Sequence, residues 1–194
     1  MIIIGIDPGK YGAVSILKNR RVIHVEDSPL MDCLINGKQK QILDEEKMND
    51  FLLRFSMHTE PIHAFIEKQQ ILPQQGAVSG FSIGEGYGLW RGLLRGNGIP
   101  YSPLFSRTWR ASVFTAEEII MCNPPKKKGV KRTAKQKAEI QKMRKTMSIG
   151  KALRLFPSCR KFIEDPKANK AQDGRAEAVL IGYAGAQMNF ESWR

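Results

Sequence analysis

Apolar residues crowd the start of the chain: Ile2-Ile3-Ile4-Gly5-Ile6 runs without a polar break into Asp7-Pro8-Gly9. Such a run bounded by a turn predicts a strand over residues 2–7 that is buried on both faces. Tyr11–Leu17 and Arg21–Asp27 predict two more strands, and the short Lys18-Asn19-Arg20 connection makes the three an antiparallel meander. Lys38–Lys47 is polar and passes into a helix over Asp44–His58, where Leu43, Met48, Phe51, Leu52 and Phe55 fall at helical spacing. Pro61 stops that helix. Ile62–Glu67 predicts a fourth strand, almost continuously apolar, and Ala77–Gly96 a long helix. A short strand over Ile99–Ser102 and a helical turn from Ser106 to Arg110 come next. Asn123-Pro124-Pro125-Lys126-Lys127-Lys128-Gly129 is rich in breakers and marks an insertion boundary. Beyond it, Thr133–Leu155 predicts a basic helix with Gly150 as a candidate break, Pro166–Gln172 a loop, and Asp173–Asn189 the last helix. A meander followed by helix–strand units predicts one α/β domain over 1–194, with a basic insertion at about 123–145.

Charge adds a partner to this picture. The net charge is +12, and Lys126–Lys161 carries fourteen Lys/Arg against one acid, Glu139, which leaves the rest of the chain near neutral. A cationic block so localised suggests a polyanion, most simply nucleic acid; the alternative is a solvated surface segment. No run of about 18 apolar residues is present, so no membrane span is expected. No basic segment precedes the isoleucines, so they do not read as a signal peptide. Cys33, Cys122 and Cys159 are odd in number and far apart, as reduced thiols in the cytoplasm would be. His24, His58 and His63 are equally scattered, which argues against a zinc site.

Four carboxylates stand where chemistry is expected. Asp7 and Glu67 each end an apolar strand, and if those strands are parallel neighbours both acids emerge at one sheet edge. Asp173 and Glu177 are four apart and share a helical face, while Ala176, Val179, Leu180, Tyr183 and Ala184 give that helix an apolar side to lay on the sheet. Like charges brought together repel unless a proton or cation enters between them. An all-oxygen donor set suits Mg²⁺, with Mn²⁺ as a substitute, and two such ions suit phosphoryl chemistry. Taken singly, the same acids also read as strand ends and a helix N-terminal pair.

Gly84, Gly88, Gly92 and Gly96 recur every four residues along the long predicted helix. Each costs about 1 kcal/mol relative to Ala, so close packing against a sheet, a helix or a second copy is the expected return. Close approach of a nucleic-acid backbone is the other reading.

The run Gly5-Ile6-Asp7-Pro8-Gly9-x-x-Gly12-Ala13, the strand-end Glu67, the glycine-stepped helix and Asp173-Gly174-Arg175-Ala176-Glu177-Ala178 together resemble the RuvC-like Holliday junction resolvases, the phage-type members most. These belong to the RNase H-like superfamily. Ile99-Pro100-Tyr101 with Thr108-Trp109, and Ala152–Pro157, are similar to stretches of that branch. The resemblance implies an RNase H-like mixed five-stranded sheet, an antiparallel meander plus parallel strands, flanked by helices. It implies an acid tetrad on Asp7, Glu67, Asp173 and Glu177 holding two Mg²⁺ ions. It further implies a homodimer, in a bacterial cell or phage-infected host, that cuts opposed strands of a four-way DNA junction and leaves 5′-phosphates. Two features depart from the pattern. The bacterial members carry two aspartates three apart on the last helix, where this chain has Asp173 and Glu177 four apart. Asn123–Lys145 is also longer and more basic than usual, so no DNA contact carries over there.

Candidate DNA contacts therefore rest on residue chemistry. Lys126, Lys127, Lys128, Lys131, Arg132 and Lys135 suit phosphates. Gln69, Gln70, Gln74 and Gln75 follow Glu67 and could hydrogen-bond nucleotides, or simply form a polar loop. Phe81 and Trp109 read first as packing residues. Lys68 could hold a phosphate, although strand alternation sends it to the face opposite Glu67. The rival functions are an actin-like ATPase, for which one such opening in 194 residues is too little, a non-catalytic nucleic-acid-binding protein, and a nuclease on RNA–DNA hybrid or on branched DNA in general.

Overall fold

In the computed structural model, residues 1–56, 59–70, 76–125, 132–164 and 172–193 are described. Strands β1 (Ile2–Asp7), β2 (Ala13–Lys18) and β3 (Arg21–Asp27) form the expected meander. Asn19 and Arg20 take positive φ in the turn between β2 and β3, the geometry that matches the twist of a two-residue hairpin. A second hairpin follows, β4 (Leu30–Ile35) and β5 (Lys38–Leu43), as a separate two-stranded sheet. It replaces the polar stretch expected before the first helix. Its turn is Asn36-Gly37, both at positive φ, a strong hairpin signal that its polar second strand, Lys38-Gln39-Lys40-Gln41, obscures.

Helix α1 (Glu45–Ser56) leads to β6 (Ile62–Lys68), helix α2 (Ala77–Gly96) and β7 (Tyr101–Phe105), the last a few residues later than its sequence pattern suggests. The main sheet has the order β3-β2-β1-β6-β7, with β6 and β7 parallel to β1. An antiparallel meander extended by parallel crossover strands and flanked by helices is the RNase H-like arrangement.

Alternation along β1 divides the core. Ile2, Ile4 and Ile6 pack with Met48, Phe51, Leu52, Trp90 and Leu94 on the α1/α2 side. Ile3 faces the opposite layer, built on α3 (Ser106–Val113), α5 (Ala134–Leu155) and α7 (Gln172–Asn189). Between α3 and α5 lies α4 (Ala116–Cys122), a short helix absent from the sequence reading. Thr115 and Glu118 cap it reciprocally, a T-x-x-E signal that marks its start. α5 is one continuous helix, so Gly150 does not divide it. A short α6 (Arg160–Ile163) precedes α7.

The glycine stripe of α2 packs against nothing in the described chain. A methyl group at Gly84, Gly88, Gly92 or Gly96 would meet open space, and all four are exposed. Phe81 on the same helix is 72% exposed, which excludes a place in this chain's core. The close approaches lie elsewhere. Gly12 presses on Asp7 in the β1–β2 turn, and Gly174 at the start of α7 presses on Tyr11 and Gly12. Together they bring the first turn of α7 down onto the end of β1.

Candidate metal centre

Ile6 pairs with Ile66 in parallel register, so the next residues, Asp7 and Glu67, leave the sheet side by side. α7 crosses above them, and its first turns carry Asp173 and Glu177. Its placement is fixed by a nearly buried Arg175, whose guanidinium donates to both carboxylate oxygens of Asp27 at 2.6 and 2.9 Å and also to the Phe162 carbonyl. A two-pronged pair removed from water in this way holds orientation better than an exposed pair does.

Glu177, Glu67 and Asp173 all act electrostatically on Asp7, and Glu67 acts on Glu177 as well. The Asp7 carboxyl is pushed well above the usual carboxylate range, first by burial, then by the charges of Glu177 and Glu67, and least by Asp173; the Gly9 N–H, donating at 3.3 Å, opposes the shift. Burial also raises Glu177, against the lowering effect of the Arg110 guanidinium. Of the two helical acids, Glu177 acts on Asp7 more strongly than Asp173 does.

Each carboxylate also has its own support. Trp109 Nε1 donates to Glu67 Oε1 at 2.9 Å, and Gln69 Nε2 to Glu67 Oε2 at 3.3 Å. Arg110 Nη2 and Ser148 Oγ donate to Glu177 Oε1 at 2.6 and 3.0 Å. Lys145 Nζ lies 2.9 Å from Asp173 Oδ2. Arg110, Ser148 and Lys145 were not singled out from the sequence. Nothing in the local pattern distinguishes them from other residues of amphipathic helices. Trp109 is fully buried, as a packing residue would be, but its indole N–H also has a specific target.

Among the described residues, no three His, Cys, Asp or Glu side chains form a ready-made ion cage. The ion pairs give a physical reason, since Arg110 and Lys145 draw Glu177 and Asp173 to themselves. Two ion-paired cations stand against four carboxylates, and burial together with the charges of Glu177 and Glu67 disfavours ionisation of Asp7 when no further cation is present. An all-oxygen cluster that repels itself in this way fits a hard divalent cation such as Mg²⁺ or Mn²⁺.

The candidate DNA contacts are more dispersed. Gln74, Gln75, Lys126, Lys127, Lys128 and Lys131 lie outside the described residues. Lys135 is exposed on the first turn of α5. Arg132 donates locally, to Asn123 Oδ1 at 3.0 Å and to the Pro124 carbonyl. Lys68 follows Glu67 in β6 and is exposed beside Phe105, its register partner on β7, while Glu67 pairs with the buried Leu104.

An RNase H-like α/β sheet bearing an acidic cluster at its carboxyl edge is thus the class that fold and site define. No family model matches the chain, and no curated protein does. Among solved structures it is similar to Thermus thermophilus RuvC in complex with Holliday junction substrate. Identity there is 13% and the TM-score 0.48, with 97% of this chain and 96% of that one covered. A second structure of Thermus thermophilus RuvC matches at 12% identity and TM-score 0.45, with the same coverage. No described helix is long and apolar enough to cross a membrane.

Proposed function

We propose that this chain is a Mg²⁺-dependent, structure-selective endonuclease that resolves four-way DNA junctions, acting as a homodimer of the phage-type RuvC-like branch. The observation that carries the reading is the convergence of Asp7, Glu67, Asp173 and Glu177 at one sheet edge, in a chain whose excess positive charge is confined to a single segment. One RNase H-like domain over 1–194 would carry the chemistry. The basic insertion at about 123–145 would give sequence-independent hold on phosphates.

Asp7 and Glu67 from adjacent strands, with Glu177 and Asp173 from α7, would hold two divalent ions. When bound, those ions supply an activated water and charge compensation for the leaving oxygen of a phosphodiester. Trp109 and Gln69 hold Glu67 in place, so that its oxygens meet a ligand with little reorganisation. Arg110 and Lys145 stand beside the cluster, where a phosphate entering the site would bring negative charge.

The direct test is cleavage of matched four-way, Y-shaped, duplex and RNA–DNA hybrid substrates with Mg²⁺. Paired symmetrical nicks near the crossover of the four-way substrate, with the others cut slowly, are expected. Equal cutting of the hybrid would move the assignment to another RNase H-like nuclease, and no metal-dependent cutting of any substrate would leave a binding protein.

Trp109→Phe gives a narrower test. It keeps most of the buried ring volume but removes the N–H donated to Glu67. A hydrogen bond to a charged group is worth about 1.5–3 kcal/mol, so turnover should fall roughly tenfold or more. Junction affinity should hold within about twofold. An equal loss of affinity and turnover would show that Trp109 serves packing alone.

A further inference from the structure

The β4–β5 hairpin has no part in the acid cluster, yet it is rooted in the turn that follows Asp7. Its two ends are tied by the Asp44 N–H, which donates to the Pro29 carbonyl at 2.9 Å. Ser28, just before the hairpin, donates its N–H to the Gly12 carbonyl at 2.9 Å and its hydroxyl to the Gly9 carbonyl at 3.2 Å. The Gly9 N–H in turn donates to Asp7. Lys10 Nζ, from the same turn, donates to the Gln41 carbonyl. Leu43 closes the base by packing into the α1/α2 side of the core. From that root the ribbon runs into solvent, with Lys38, Gln39, Lys40 and Gln41 all exposed. It is paired from Met31–Ile42 to Ile35–Lys38, and at about 3.4 Å per residue it spans about 17 Å.

Strand alternation sorts its side chains. Lys38 and Lys40 share a face with Met31, Cys33, Ile35 and Ile42, whereas Asp32, the sole acid of the two strands, pairs with Gln41 on the other face. Neither lysine has a carboxylate partner among the described residues. A two-stranded hairpin is marginal alone in water, so one anchored at its root and bare along its length is built to meet something. A protein partner would need a continuous apolar patch. The exposed apolar side chains, Met31 at 44% and Leu34 at 74%, lie on opposite faces, and the polar second strand gives a pairing peptide nothing to bury. Two unpaired lysines on one face of a rigid ribbon suit the regular negative charge of a duplex, whose major groove also admits a two-stranded ribbon.

We infer that the β4–β5 hairpin is a contact for one duplex arm of the branched substrate, with Lys38 and Lys40 on backbone phosphates within about five base pairs of the cut. The inference rests on the endonuclease reading, because only a cut at the acid cluster relates the arm to the site. The root fixes that relation: Ser28 and Lys10 tie the ribbon to the turn whose Gly9 holds Asp7, so the arm is kept at a set distance from the carboxylates.

The experiment uses the full chain carrying Asp7→Asn, which keeps the substrate whole, with the cut position mapped by the wild type. Binding to a four-way junction is followed by anisotropy from 50 to 200 mM salt, conditions set by the experiment, and the arms are footprinted with hydroxyl radicals. Adding Lys38→Gln with Lys40→Gln should reduce the slope of log affinity against log salt by about two, weaken binding about tenfold at the low-salt end, and unmask a backbone stretch within about five base pairs of the cut. Lys38→Arg with Lys40→Arg keeps the charge and should restore all three. Should the glutamine pair fail to fold, neutral methylphosphonates over that stretch of the arm should give the same loss with the lysines in place. An unchanged slope and footprint, or an equal loss with the arginine pair, overturns the arm contact and leaves the nuclease standing. An unchanged slope together with a smaller species on size exclusion for Leu34→Ser also overturns it and makes the hairpin a contact between copies of the chain. A parent protein with no preference for the junction over duplex takes both readings down.

Discussion

Asp7→Asn is expected to abolish cleavage, by about 10³-fold or more as for loss of a central catalytic group, while junction affinity stays within a few-fold and the ion-free protein becomes more stable. The three outcomes have one cause. Asp7 sits at the end of a buried strand, facing Glu177 and Glu67, and both burial and those charges hold its carboxyl above the ordinary range. An amide of the same shape keeps the Gly9 contact geometry but carries no charge to desolvate or repel. It also cannot serve as a full ligand for a hard cation. Because the folded-state pKa lies above the unfolded one, the folded protein binds the proton more tightly than the unfolded chain does. Wild-type stability without ions therefore falls as pH rises from the unfolded carboxylate value, about 3.9, through the raised folded value. The asparagine variant escapes that loss. The difference in melting temperature between the two should be small in acid and grow toward neutral pH. Mg²⁺ should reverse the order by stabilising the wild type in proportion to its occupancy. Thermal unfolding in EDTA and in Mg²⁺ across that pH range, beside a cleavage assay, measures all of this. A variant that cuts at near-normal rate, or that is less stable than wild type at neutral pH without ions, would remove Asp7 from the centre of the site.

Much of this arrangement is legible in the residues alone, and the exceptions have physical reasons. The apolar run ending in Asp7 and the run ending in Glu67 reveal the central parallel pair because strands buried on both faces leave no ambiguity of period. The α7 face is equally clear, since its small apolar residues alternate with the two acids at helical spacing. The β4–β5 hairpin is not, because most of it lies in solvent and its second strand carries no apolar alternation. Arg110, Ser148 and Lys145 come from α3 and α5, more than twenty-five residues from the acids they meet, and only tertiary packing places them there. Glycines mislead most. Four at regular spacing on α2 suggest a packing seam, yet they face open space. The glycines that permit close approach, Gly5 and Gly182 among them, stand singly in strand and helix, without a repeat to mark them.

That contrast yields the second large effect. Gly5 lies in the middle of β1, directly beneath α7. A Cβ there would sit 2.0 Å from the Ala178 carbonyl oxygen and 2.6 Å from the Gly182 nitrogen. These are backbone atoms of a helix and cannot swing aside as a side chain would. The same carbonyl accepts a hydrogen bond from the buried Ser15 Oγ at 2.9 Å, so lifting α7 also breaks a buried polar contact. Overpacking a core typically costs about 1–3 kcal/mol, and a clash with backbone belongs at or above the top of that range. For a chain of this length 3 kcal/mol corresponds to roughly 6–12 °C of melting temperature. Gly5→Ala should therefore melt at least that much lower or fail to accumulate as folded protein. Any folded fraction should lose cleavage out of proportion, because α7 carries Asp173 and Glu177 away from β1. Gly84→Ala is the opposing control. It adds a methyl group in open space within a helix, where Ala is favoured over Gly by about 1 kcal/mol, so its melting temperature should rise by a few degrees. A fall at Gly84 instead, together with a smaller species on size exclusion, would show that a second copy of the chain covers that face of α2. A Gly5→Ala protein as stable as wild type would show that α7 does not bear on β1 as closely as this fold requires.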